Sequence, residues 1–255
     1  MSALSRRRRC YIAPASNDMN PTPDEWEYWY GPWRRIQCAR CRAITLTSAA
    51  CTVCGLDCSA ELENATATLH SGQEIRVASA FLGADEWTQY SLLRLMYDEW
   101  QRPIRGDVLQ EAPADRRASP RLVIVLLFWT HIEVLVERLL QRAAARLPAA
   151  VQTDLLGRYS SVGGRMDRLS RILLGAPTFD ELERLGRGDV ATHLRRVQIA
   201  RNAFIHGQAE IITDGLVRDT VDMLPRTQLA WIELYNSVCS RIWQGLEAGE
   251  KSIGP

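Results

Sequence analysis

The chain has 255 residues, 46% of them hydrophobic and 24% charged, with a formal net charge of +1. This is the balance of a globular protein long enough for one large or two small cores, and it excludes collagen-like, strongly basic and chiefly disordered chains. The longest apolar run, residues 122–129, is too short to cross a bilayer, and no apolar stretch follows the basic opening. The sequence therefore reads as cytoplasmic, without a membrane partner. In a reducing compartment, its seven cysteines point to metal before disulfides. Lys251 is the only lysine, so arginine carries nearly all the positive charge.

Residues 1–33 form a basic, aromatic-rich segment. The tract Arg6, Arg7, Arg8, Arg9 could touch phosphates or simply be solvated. The strip at 24–33 mixes five aromatics with acids, which favours packing over base stacking.

Residues 34–60 carry the strongest local signal. Cys38-x2-Cys41 and Cys51-x2-Cys54 are two tight knuckles nine residues apart. Each knuckle sets two thiolates on one ion, and four thiolates close a tetrahedral Zn(II) site. The spacing predicts a zinc ribbon with a strand at 43–46 and Gly55 just past the second knuckle. Cys58 is a rival fourth ligand. A closed site leaves no open position, so this zinc is structural. Arg34, Arg35, Arg40 and Arg42 around it allow nucleic-acid contact, while a protein-docking role stays open.

Residues 61–118 read as a helical linker region, polar at first, then helical over 74–100 and stopped by Pro103. Ser119-Pro120 is a helix start, with serine as cap and proline in the first turn. The helix runs to about residue 147 and is apolar all round at first, hence central. Thr130, Glu133, Glu137 and Gln141 then form a polar stripe, which on a central helix needs partners. His131 lies off the stripe and reads as structural. Gly163-Gly164 is expected to break the chain, short helices follow, and a long helix is expected from about 189 to 206. Between Arg158 and Arg201 nine arginines face five acids, a local excess that favours an anionic ligand. Residues 213–225 look irregular, and a last helix is expected over 226–246.

The segment 197–207 concentrates the chemistry. Val197, Ala200 and Phe204 make a buried helical stripe, and Gly207 marks the helix end. Arg201, Asn202 and His206 occupy the last turn. Asn202 and His206 share a face, while Arg201 sits about 140° round from His206. Arginine for phosphate charge and histidine for proton transfer suit phosphodiester chemistry. Arg187 and His193 repeat the pattern at another spacing, without the asparagine.

Arg201-Asn202-x-x-x-His206 resembles the motif of the HEPN family. The resemblance covers about the C-terminal half, residues 119–250. It implies a mainly α protein, a HEPN-like helical bundle preceded by the zinc ribbon. It also implies a metal-independent endoribonuclease of the toxin or antiviral-defence kind, working as a homodimer, with RNA as substrate and an antitoxin or regulatory protein as a further partner. In that picture His206 is general acid or base, Arg201 holds the phosphate, Asn202 orients the site, and Glu133 or Glu137 supports it. The rival reading is a non-catalytic nucleic-acid or protein adaptor.

Overall fold

The computed structural model describes residues 35–46, 50–57, 65–68, 74–77, 84–104 and 117–252. The arginine tract at 6–9, the aromatic strip, Arg34 and Cys58 lie outside them.

Strand β1 (Arg35–Gln37) pairs antiparallel with β2 (Ile44–Leu46), the Gln37↔Ile44 pair closing over the first knuckle. The expected strand is therefore present, starting one residue later. A second antiparallel pair joins β3 (Ala65–Thr68) and β4 (Glu74–Val77). Here the structure departs from the helix expected at residue 74. Glu74-Ile75-Arg76-Val77 alternates polar and branched residues with a period of two, which suits a strand.

Helix α1 (Ala84–Gln101) follows. Its Leu93, Met96, Tyr97 and Trp100 are buried at i, i+3, i+4 and i+7, one helical stripe packed along helix α2 (Val123–Ala144). The 61–118 segment is thus not only a linker, since it supplies a hairpin and one helix of the core. Arg121 fastens the two helices, donating to the carbonyl of Arg102 (3.2 Å) with its guanidinium 4.8 Å over the Trp100 ring. Ser119 does not cap the regular helix, whose N-cap is Leu122, but its Oγ accepts from the amide of Arg121 at 3.1 Å in the turn before it. Regular α-helix begins at Val123, after one tighter turn.

Next come α3 (Ala149–Arg158) and α4, a continuous helix of Val162–Gly164, a π-helical turn Arg165–Leu169, and Ser170–Leu174. The expected break at Gly163-Gly164 falls earlier. Ser161 Oγ accepts from the amide of Gly164 (3.2 Å) and draws both glycines into the first turn. Helices α5 (Thr178–Arg184), α6 (Gly188–Ile205) and α7 (Asp214–Ser252) complete the bundle.

Helix α7 overturns the irregular stretch expected over 213–225, because Pro225 lies inside it. A proline there forfeits one backbone bond and costs about 3 kcal/mol. Leu216, Val217, Val221 and Leu224 before it continue in helical register into Trp231, Leu234, Tyr235, Val238 and Ile242 after it, all buried. Burial of that stripe offsets the loss. The same hydrophobic cluster takes in Cys38, Cys41 and Cys51, so the knuckles pack directly against the bundle.

Candidate functional site

The four cysteines of the two knuckles converge. The Sγ atoms of Cys38, Cys41, Cys51 and Cys54 all lie within 4.8 Å of one another, with Cys38–Cys54 at 3.5 Å and Cys41–Cys51 at 3.4 Å. Thiolates around Zn(II) at about 2.3 Å stand about 3.8 Å apart in a tetrahedron, so this group could hold a metal ion of that size. Both knuckles turn the same way: the residue after the second cysteine is left-handed in each, Arg42 at φ 64° and Gly55 at φ 70°. Burial pushes the Cys41 and Cys54 thiols up. It acts on Cys38 in the same direction, but the amides of Cys41 and Arg40 outweigh it and bring that thiol down to about 7. Amides aimed at a sulfur favour its anionic, metal-binding form.

The bundle holds this module at set points. Asn236 of α7 clamps the backbone of Ile44, accepting from its amide (2.7 Å) and donating to its carbonyl (2.6 Å). Gln37 reaches the Tyr235 hydroxyl at 3.3 Å. Arg142 of α2 donates to the carbonyl of Cys41 at 2.9 Å.

The second candidate lies at the end of α6. Helix α6 stops at Ile205 with a two-bond closure: the amide of Gln208 donates to Ala203 (3.0 Å) and that of Gly207 to Phe204 (2.9 Å), with Gly207 at φ 88°. His206 is the capping residue and is exposed. The end is closed, not frayed, so unwinding after His206 does not carry its ring toward Arg201. Among the described residues that ring makes no hydrogen bond. Arg201 donates to Asn202 Oδ1 (3.3 Å), and its other nitrogen stands 3.8 Å from Glu133 of α2. The two acids of the polar stripe therefore part company. Glu133 meets Arg201, while Glu137 pairs with Arg165 and accepts from Gln141 at 2.8 Å.

The arginine excess over 158–201 does not leave a free basic surface. Eight of those nine arginines are ion-paired, several to acids elsewhere in the chain, including Glu133, Glu137, Asp154, Asp219 and Glu233. Of these nine, Arg168 alone lacks a carboxylate partner among the described residues. Counting charge along a segment missed these long-range pairs.

The competing pattern, Arg187 and His193, separates from the first by burial. Arg187 is held by two hydrogen bonds to Glu233, one of 2.7 Å. His193 is buried edge-on to Phe128, ring centres 5.8 Å apart, and its Nε2 has no partner. Burial, with Arg196 nearby, lowers its pKa to about 4. His131 is buried as well, its Nε2 lying 2.7 Å from the Gln228 amide nitrogen. Among the described residues no helix is long and apolar enough to cross a membrane. No protein-family model, no curated protein and no solved structure matches this chain.

Proposed function

We propose that this protein is a metal-independent endoribonuclease of the HEPN kind, with Arg201, Asn202 and His206 as its working residues and a structural Zn(II) on Cys38, Cys41, Cys51 and Cys54. The observation that carries the reading is the pairing of Arg201 with Glu133 and Asn202 one turn before an exposed His206. Glu133 and Asn202 orient a guanidinium that keeps further N–H donors for a phosphate. His206, open to solvent, exchanges protons on the reacting oxygens. An RNA 2′-hydroxyl attacks the neighbouring phosphorus and loses its proton, and the P–O5′ bond breaks as the 5′-oxygen takes one up. The products are a 2′,3′-cyclic phosphate and a 5′-hydroxyl.

In this reading two copies face each other across a two-fold axis. Ile199 and Ile205, 64% and 56% exposed beside the motif, offer apolar surface for a second copy to cover. The role is that of a toxin or defence effector, held in check by an antitoxin or regulatory protein. The test is incubation of purified protein with end-labelled RNA in EDTA. Cleavage leaving cyclic phosphate ends, lost by roughly 10²-fold or more in His206→Ala, is expected. A wild-type protein that cuts no RNA, or a His206→Ala variant that cuts as well, hands the protein to the adaptor reading. A strictly monomeric mass by light scattering with full activity removes the composite site.

A further inference from the structure

Eight of the nine arginines over 158–201 are ion-paired, and several arginines without a carboxylate partner among the described residues lie outside that stretch. Arg40 and Arg42 on the first knuckle and Arg146 just past α2 are exposed, and among the described residues none has a carboxylate partner. The fold brings these groups to the seam between the cysteine module and the bundle. Arg142, one turn before Arg146, binds the carbonyl of Cys41 itself. The Arg40 guanidinium lies 5.9 Å over the ring of Trp243 on α7. Two residues further along α7, Gly245 lies beside the Arg146 guanidinium, a Cβ at that position standing 3.3 Å from it.

Arg42 adds an independent sign. Its φ of 64° is a conformation that costs a non-glycine residue energy, and the second knuckle fills the same position with Gly55. The first knuckle carries an exposed guanidinium at this position. Backbone strain of this kind clusters at ligand-binding positions, and here it sits under an exposed charged side chain.

We propose that this seam docks single-stranded RNA, with phosphates on Arg40, Arg42 and Arg146 and a base against the Arg40–Trp243 stack. Guanidinium forks match phosphate oxygens, and stacked cation and ring give an unpaired base a face to lie on. Only the choice of RNA over DNA rests on the ribonuclease reading. The seam is not the Arg201 cluster. Arg142 is nine residues beyond Glu133 on α2, about half a turn round and some 13 Å along.

The test is fluorescence anisotropy on the zinc-loaded full chain with a labelled 2′-O-methyl oligonucleotide of about sixteen nucleotides, which cannot be cleaved by 2′-attack. Wild type and His206→Ala should bind alike, with log affinity falling against log salt at a slope of about −2 for three phosphate contacts. Arg40→Glu with Arg146→Glu should weaken binding at least about tenfold and flatten the slope by about 1.4. Arg42→Gly separates docking from folding, because relief of the strained backbone should raise the Tm while affinity falls several-fold. Unchanged affinity in the double variant or in Arg42→Gly overturns the proposal, as does competition by polyglutamate matched charge for charge. No binding by wild type overturns it too. Binding without cleavage of ordinary RNA would remove the ribonuclease and leave the docking surface standing. Cleavage with binding indifferent to these substitutions would do the reverse.

Discussion

Replacing Asn236 with alanine should release the cysteine module from the bundle without unfolding either. One amide side chain satisfies both backbone groups of Ile44, at 2.7 and 2.6 Å, and Ile44 is only 6% exposed. Truncation leaves a donor and an acceptor unpaired where water has little access. Each such group costs about 1–3 kcal/mol, and some water entry would reduce the total, so docking should weaken by about 3 kcal/mol. Because 1.4 kcal/mol is a factor of ten, the Ile44 amide should exchange with solvent about 10²-fold faster in Asn236→Ala than in the zinc-loaded wild type. The helical far-UV signal should barely change, since Asn236 is the module's contact and not the core's. Asn236→Asp should fail equally: it still accepts from the amide, but it sets a carboxylate oxygen against the Ile44 carbonyl. If Ile44 keeps its protection to within about threefold in Asn236→Ala, the clamp does not hold the module and this reasoning fails.

Purified protein should carry about one Zn(II) per chain, and Cys38→Ser or Cys54→Ser should release it while sparing the helices; metal analysis and circular dichroism check both. Arg201→Lys should cost RNA cleavage about 10²-fold, since lysine cannot hold Glu133, Asn202 and a phosphate with one planar fork; single-turnover cleavage assays measure it. His193 predicts a pH effect. Its folded pKa of about 4 lies below the ordinary value near 6.5, so the unfolded chain binds more protons between those values. Stability should therefore be full above about pH 6.5 and fall by about 2 kcal/mol on going to pH 5. His193→Leu should remove that slope in denaturant titrations at the two pH values. At pH 7 it should cost little, because a buried nitrogen without a partner is replaced by a methyl group.

What was legible in the sequence was what is local. Cysteine spacing placed the knuckles, the apolar run placed α2, and Val197, Ala200 and Gly207 placed the end of α6. Proline and glycine misled where tertiary packing overrides their usual effect. Pro225 reads as a stop, yet the buried stripe on either side of it keeps one helix in register. Gly163-Gly164 reads as a break, yet the Ser161 cap draws both into a first turn. The β3–β4 hairpin was missed because four alternating residues are too few to outweigh the helical pattern that follows.

Two patterns of arginine and histidine looked nearly alike on paper, and pairing across the fold separates them. Arg187 is tied by two bonds to Glu233, and His193 is sealed against Phe128 with a pKa about 4, so neither group is free to meet a substrate at neutral pH. Arg201 has a single long-range acid 3.8 Å away, and His206 is open to solvent. The partners that decide the matter, Glu233 and Glu133, lie 46 residues after one arginine and 68 before the other. No local window could have supplied them. The same holds for the seam: Arg40, Arg146 and Trp243 come from three distant segments, and only Arg42, standing where Gly55 stands in the other knuckle, left a trace within its own motif.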